Sequence, residues 1–469
     1  MGGRAVTSTW ETLPGGALKE QVPGSRWRVL TWALWDWGAQ PFATVITTFV
    51  FAVYITSPAF GDTNTTSVAL STSTLIGGVA VAALAPVLGQ HADRSGASVT
   101  TLRVLTWALT VLSAALYLVR PHPSYVWLGL ALLAVGSIVR DIADVSYNST
   151  IDQVASAGNV GRVSGLGWGL GYLGGIFSLL LVYFAFIQPE VGLFGVTSTE
   201  ALDIRVSMLV CAVWMALFTI PPLVMLRNSP PRDQERLGVV GSYQALFTTV
   251  RRLWRTERQL VYFLLASALF RDGLNAVFTF GAVIAAGTFG FSSGEVIVFG
   301  AVASVVAGVA TMACGVLDDR LGPQRVILFS LAALVVLATG IFLLHDRGRT
   351  AFWALGLGMT AFVGPAQSAA RSYLARLIPE GKSAELFGLY ATTGRVVSFI
   401  APAAFGGGIL LGATVTGQEN TQYWGILGVA LVLAAGLAVM LAVVRSGQEE
   451  LGTDGVLDPE TAATGRGGQ

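Results

Sequence analysis

The chain is short of charge. Only 12% of its 469 residues are Asp, Glu, Lys or Arg, about half the share of a soluble globular domain. That scarcity excludes a solvated surface over most of the molecule. Its 28 basic and 27 acidic residues leave a formal charge of +1, so no global field points to a nucleic-acid partner. Cysteine is limited to Cys211 and Cys314, in different apolar runs, and histidine to His91, His122 and His345, scattered through loops. Neither set has the spacing of a disulfide framework or a metal site. Residues 1–26 are polar and lack the apolar core of a secretory signal. The chain also lacks HExxH, a nucleophile elbow and a phosphate loop. We therefore expect neither an enzyme nor an ATP-driven pump, with no cofactor and no metal.

What the chain has is apolar length. Hydrophobic residues make up 53% of it, and glycine occurs 56 times, a composition suited to closely packed membrane helices. Runs long enough to cross a bilayer as helices lie at 28–56, 67–89, 100–119, 125–147, 163–187, 205–226, 259–286, 295–317, 325–344, 351–373, 384–412 and 422–444. They do not alternate polar and apolar residues as barrel strands do. The predicted fold is all-α and integral to the membrane, with twelve transmembrane helices. With the amino terminus in the cytoplasm, 21 of the 28 basic residues fall on cytoplasmic segments or their edges. This asymmetry puts both termini inside. The expected organisation is a tail at 1–27, a six-helix bundle at 28–226, a basic linker at 227–258, a second bundle at 259–444, and a disordered tail at 445–469.

The linker holds seven arginines against three acids. Tyr243, Leu246, Phe247, Val250 and Trp254 recur there at helical spacing, with Arg251, Arg252 and Arg255 between them. Two readings fit: an amphipathic helix at the inner leaflet, or a solvated linker helix.

The two bundles repeat each other. Gly89 to Gly96 reads GQHADRSG, and Gly315 to Gly322, 226 positions on, reads GVLDDRLG. The same offset carries Tyr147 onto Tyr373. Gly165 falls on Gly388 and Asp36 on Asp272 at nearby offsets. Parallel halves with a substrate site at their interface are a transporter architecture.

The loop Gly89–Gly96 and its weaker copy resemble the signature of the major facilitator superfamily, although Ala97-Ser98 replace the usual basic pair. WALWDWGAQPFATVI, YNSTIDQVA, GRVSGLGWGLGYLGG, FRDGLNAV and SYLARLIPEGKSAELFGLYATTGR are similar to the vacuole-effluxer-like branch of that superfamily. The resemblance runs from about residue 28 to 444. It implies a central cavity lined by spans 1, 4, 7 and 10, and small-solute transport with an amino acid as first guess. It also implies a gate at Gly89, Asp93, Arg94 and Gly96, with Asp319 and Arg320 in the second copy.

Charges at membrane depth need a protein, water or ionic partner. Asp36, Arg140, Asp141, Asp144, Arg271, Asp272 and Arg395 stand at such depths. Gln40 shares a helix face with Asp36, Asn148 with Asp144, and Asn275 with Asp272, at three- or four-residue spacing. These ten residues are the candidates for substrate binding or proton coupling; a structural role in buried ion pairs is the alternative. Four aspartates and three arginines sum to −1, which one proton or one cationic substrate group would neutralise. The proton gradient is thus the expected energy source.

Gly169-x-Gly171-x-x-Gly174 spells a dinucleotide fingerprint, but no strand precedes it and it lies within an apolar span. Gly165, Gly167, Gly169, Gly171 and Gly175 instead form small-xxx-small pairs that admit a neighbouring helix. Trp168 and Tyr172 on the same helix are candidates to reach the cavity. The sequence thus points to a multi-pass transporter of the plasma membrane, acting on a small molecule as a monomer. Efflux of amphipathic compounds is the second transport reading, encouraged by the many aromatic residues. An intramembrane enzyme or a transport-dead sensor would each need a catalytic set or a soluble domain, and the chain offers neither.

Overall fold

A computed structural model describes residues 25–61, 63–228, 239–256, 258–291, 293–378, 382–418 and 421–454. Most of the amino-terminal tail and the end of the carboxyl-terminal one lie outside them. The first bundle comprises α1 (Arg26–Pro41) extended by α2 (Phe51–Ile55), then α3 (Thr63–Ser95), α4 (Ser98–Ala115), α5 (Val126–Asn148), α6 (Val160–Val182) and α7 (Leu202–Met225). The linker forms α8 (Val239–Thr256). The second bundle comprises α9 (Arg258–Gly287), α10 (Ser293–Leu321), α11 (Pro323–Leu343), α12 (Arg349–Leu377), α13 (Ser383–Val397), α14 (Ile400–Thr416) and α15 (Gln422–Asp454).

A helix stands at each of the twelve predicted spans, and among the described residues ten are long and apolar enough to cross a membrane. The helices at spans 2 and 10, α3 and α12, are the others. In α12 the reason is visible: every residue from Val363 to Arg376 is buried. A helix surrounded by protein can carry Gln367, Arg371 and Arg376 without offering them to lipid. At the carboxyl end α15 continues to Asp454, ten residues past the predicted last span. Gln, Glu and Leu in that stretch favour helix, so its beginning is helical where disorder was expected.

Two spans are interrupted, each for a local reason. Pro41 has no N–H to give to the carbonyl of Trp37 and its ring crowds that oxygen. The chain passes into wider π-helical turns at Phe42–Phe49, and Trp214 Nε1 on α7 donates to the freed Trp37 oxygen at 3.2 Å. The predicted span 384–412 is likewise two helices, α13 and α14, parted at Ser398–Phe399. Pro402 lies in the first turn of α14, a position where its missing N–H costs nothing, while its ring bars a continuous helix through Ser398.

Within the first bundle α1 packs on α6 and α7, and α5 on α3 and α4. In the second, α15 packs on α9, α11 and α14, and α12 on α10 and α11. The bundles meet where α6 packs on α10 and α12, and α13 on α3 and α5. One apolar core runs through both bundles, and a second lies within the first, around Phe42, Phe51, Leu109 and Met215.

Candidate functional site

Asp36, in the middle of α1, does not face lipid. Its Oδ2 lies 3.4 Å from Nη1 of Arg371 on α12, in the other bundle. Tyr147 of α5 is stacked between Trp32 and Trp35, with ring centroids at 4.4 and 4.3 Å. Its hydroxyl lies 3.0 Å from Asp36 Oδ2. The two indoles are themselves fixed, Trp32 Nε1 donating to Thr150 and Trp35 Nε1 to Thr106.

Arg371 is held on every side. Nη1 donates to Asn148 Oδ1 at 3.0 Å, Nε to Ser164 Oγ at 2.9 Å and Nη2 to the Ser164 carbonyl at 2.6 Å. Its guanidinium also lies over the rings of Trp32 and Trp168. Its side chain is 4% exposed and that of Asp36 14%. One arginine of the second bundle therefore ties α1, α5 and α6 of the first. Gly167 makes room for the pair: a Cβ there would lie 2.5 Å from Asp36 Oδ2 and 2.7 Å from Arg371 Nη2.

A second ionic group stands beside the first. Asp141 of α5 pairs with Arg395 of α13, again across the bundles. Arg140 lies 3.9 Å from Asp141 and 3.4 Å from Gln40 Oε1, which accepts from it. Asn148 Nδ2 donates to Asp144 Oδ2 at 2.8 Å, as their shared face predicted. Among the described residues Asp144 has no arginine or lysine nitrogen within 4.0 Å. Tyr172 donates to Gln367 of α12 at 2.8 Å.

The remaining candidates lie apart from these groups. Asp272 is 5% exposed, and its Oδ2 accepts from Ala401 N at 2.7 Å. It caps the first turn of α14, where free N–H groups favour an anion. Asn275, expected on its face, is exposed. Arg271 lies over the Tyr390 ring at 4.0 Å and donates to the Tyr390 carbonyl.

Arg371 was missed because the sequence places it at the edge of span 10, among the cytoplasmic arginines. It alters the charge sum. Four guanidiniums now balance the four aspartates, and the expected −1 is withdrawn.

At the end of the molecule that carries the basic loops, the bundles are closed on each other. Asp319 accepts from the Gly161 and Arg162 amides at 2.7 and 3.1 Å, capping α6 from the other bundle. Arg376 binds Asp318 at 2.6 Å and Asp319 at 3.2 Å. Arg320 is exposed. In the first copy Gly89 abuts α13 so closely that a Cβ would meet the Ala384 carbonyl, and Gln90 donates to Glu385 at 3.2 Å. Gly96 and Gly322 both have positive φ, +66° and +90°, which a side chain would disfavour. The side chains of Asp93 and Arg94 lie outside the described residues.

The small-residue pattern on α6 serves two neighbours. Gly165 and Gly169 face α10, where Cβ atoms would meet the carbonyls of Thr311 and Gly308 at 2.8 Å. Gly167 and Gly171 face α1 around Asp36 and Gln40, and Gly175 faces Gln40 and, in the π-helical turns that follow α1, Thr44.

Paired helical bundles, joined by buried charges and closed at one end, make this a membrane transporter of the major facilitator fold. Solved structures agree. A bacterial homologue of the iron transporter ferroportin in the outward-facing state superposes with a TM-score of 0.65 at 16% identity, covering 89% of this chain and 98% of that one. The transporter FucP in the outward conformation gives 0.64 at 13% identity, with coverages of 88% and 97%. Those likenesses speak for the fold alone. The family model described as "Vacuole effluxer Atg22 like" matches residues 52–451, and the chain belongs to that family. YxiO of Bacillus subtilis (strain 168), an uncharacterised MFS-type transporter, is 26% identical over 430 residues, 90% of this chain and 95% of its own. Autophagy-related protein 22 of Yarrowia lipolytica is 25% identical over 350 residues, 68% of this chain, and the match spans only 56% of that longer relative.

Proposed function

We propose that the protein is a secondary active transporter with twelve membrane-spanning helices and cytoplasmic termini. It exports an amino acid or similar small metabolite by alternating access, drawing on the proton gradient across the plasma membrane, and it works as a monomer. The observation that carries the reading is the buried Asp36–Arg371 pair. It joins α1 to α12 across the interface that must open and close, and removing either partner strands a charge. Asp144 supports the proton part: it is hydrogen-bonded to Asn148 and, among the described residues, has no salt-bridge partner, so a proton can neutralise it without breaking a salt bridge. Membership of an effluxer family supports export.

Counterflow of a mixed amino-acid pool in proteoliposomes, with and without an imposed pH gradient, tests the reading. The gradient should drive accumulation of at least one amino acid, and Asp144→Asn should abolish the response to the gradient while leaving exchange intact. Accumulation indifferent to pH in the wild type would overturn proton coupling. Absence of flux for every amino acid would overturn the substrate class.

A further inference from the structure

The linker helix α8 carries a feature that transport by the two bundles does not use. Over its 18 residues, VVGSYQALFTTVRRLWRT, it holds three arginines and no acid. Tyr243, Phe247, Val250 and Trp254 recur at steps of four, three and four, which puts them on one face. That face is uncovered: the four are 41, 69, 38 and 50% exposed. Leu253, on an adjacent side, is buried at 4%, so the helix docks along that side and at the two ends of the stripe, whose rings stay largely uncovered. The docking reaches both bundles. Tyr243 donates its hydroxyl to the Ala83 carbonyl of α3 at 2.9 Å, and the Trp254 ring packs on Tyr262 of α9.

Arg251 and Arg255 are exposed and stand one turn apart beside the aromatic stripe. Like charges at that spacing repel, and an anion between them removes the repulsion. The position of α8 supplies the source of that anion. The membrane-crossing helix α9 begins at Arg258, two residues after α8 ends, so α8 stands at the level where headgroups lie.

We propose that α8 is a lipid-surface anchor: its aromatic stripe seats in the cytoplasmic leaflet, and Arg251 and Arg255 together bind the headgroup of an anionic phospholipid. Aromatic rings suit the interfacial layer. Each arginine at an anionic surface strengthens attachment by about fivefold, and the two together by about 25-fold.

The test is a depth measurement on the full chain in vesicles, read by nitroxide labels at Phe247→Cys and Thr248→Cys in a Cys211→Ala/Cys314→Ala background. In phosphatidylcholine containing phosphatidylglycerol, the label at 247 should be open to oxygen and shielded from a water-soluble nickel chelate. The label at 248, off the stripe and exposed, should show the opposite. Arg251→Gln/Arg255→Gln should return position 247 toward the chelate, and Arg251→Lys/Arg255→Lys should restore the shielding. A label at 247 open to the chelate in both lipids would overturn the anchor and leave a solvated or protein-binding helix. Shielding that is equal with and without phosphatidylglycerol, and untouched by the glutamine variant, would overturn the headgroup site.

Discussion

Arg371 and Asp36 are 335 positions apart in sequence and meet at 3.4 Å in the interior, one from each bundle. Neither charge is free to return to water without separating the bundles at this level. Separating the bundles at this level would part the two charges.

Arg371→Ala should cost about 3–5 kcal/mol, because it leaves Asp36 buried without its counter-charge. The double variant Asp36→Asn/Arg371→Gln should recover a large part of that loss. Unfolding midpoints of the singles and the double in detergent check it, and additive losses would contradict the coupling.

Gly167→Ala should break the same pair without touching either charge. The new methyl group has carboxylate and guanidinium oxygen and nitrogen atoms inside 3 Å, and overpacking of this kind costs about 1–3 kcal/mol. Transport should fall with it. Gly171→Ala, where the nearest atom is 3.7 Å away, should be tolerated. Equal behaviour of the two in a flux assay would count against the placement of α6 on α1.

Arg376→Ala should loosen the closed end, since Asp318 and Asp319 lose their shared guanidinium while 1 and 2% exposed. A cysteine introduced at Ser164, buried at the interface, should then react faster with a cytoplasmic maleimide than in the otherwise wild-type chain. Unchanged labelling would show that the aspartates do not hold the end shut.

Asp272→Asn should keep most transport, because an amide oxygen can still accept from Ala401 N. Asp272→Ala should destabilise the chain by about 0.5–2 kcal/mol, the usual loss for a helix cap. A total loss of proton-driven flux in Asp272→Asn, with thermal stability retained, would instead give this carboxylate a role in coupling.

The membrane class and the positions of the helices were legible because each rests on local composition. The partnership of Asp144 with Asn148 was legible for the same reason, being fixed by one turn of one helix. The partner of Asp36 was not. Arg371 sits near a helix end that the positive-inside pattern assigns to the cytoplasm, so nothing local separates it from a solvated arginine. Only the burial of α12 on all sides does so. Nor was the partner of Asp272 legible: its hydrogen bond goes to a helix start created by a break at Ser398–Phe399. Such breaks depend on tertiary packing as much as on Pro402.

That break gives the eleventh crossing an articulation. Its inner segment, α13, rides on α3 of the opposite bundle, and its outer segment, α14, is pinned to α9 and α15 of its own. Under the alternating access proposed above, the crossing need not flex as a rod: the two residues at the break are where the angle is taken up, one turn after Arg395, whose partner Asp141 lies on the other bundle.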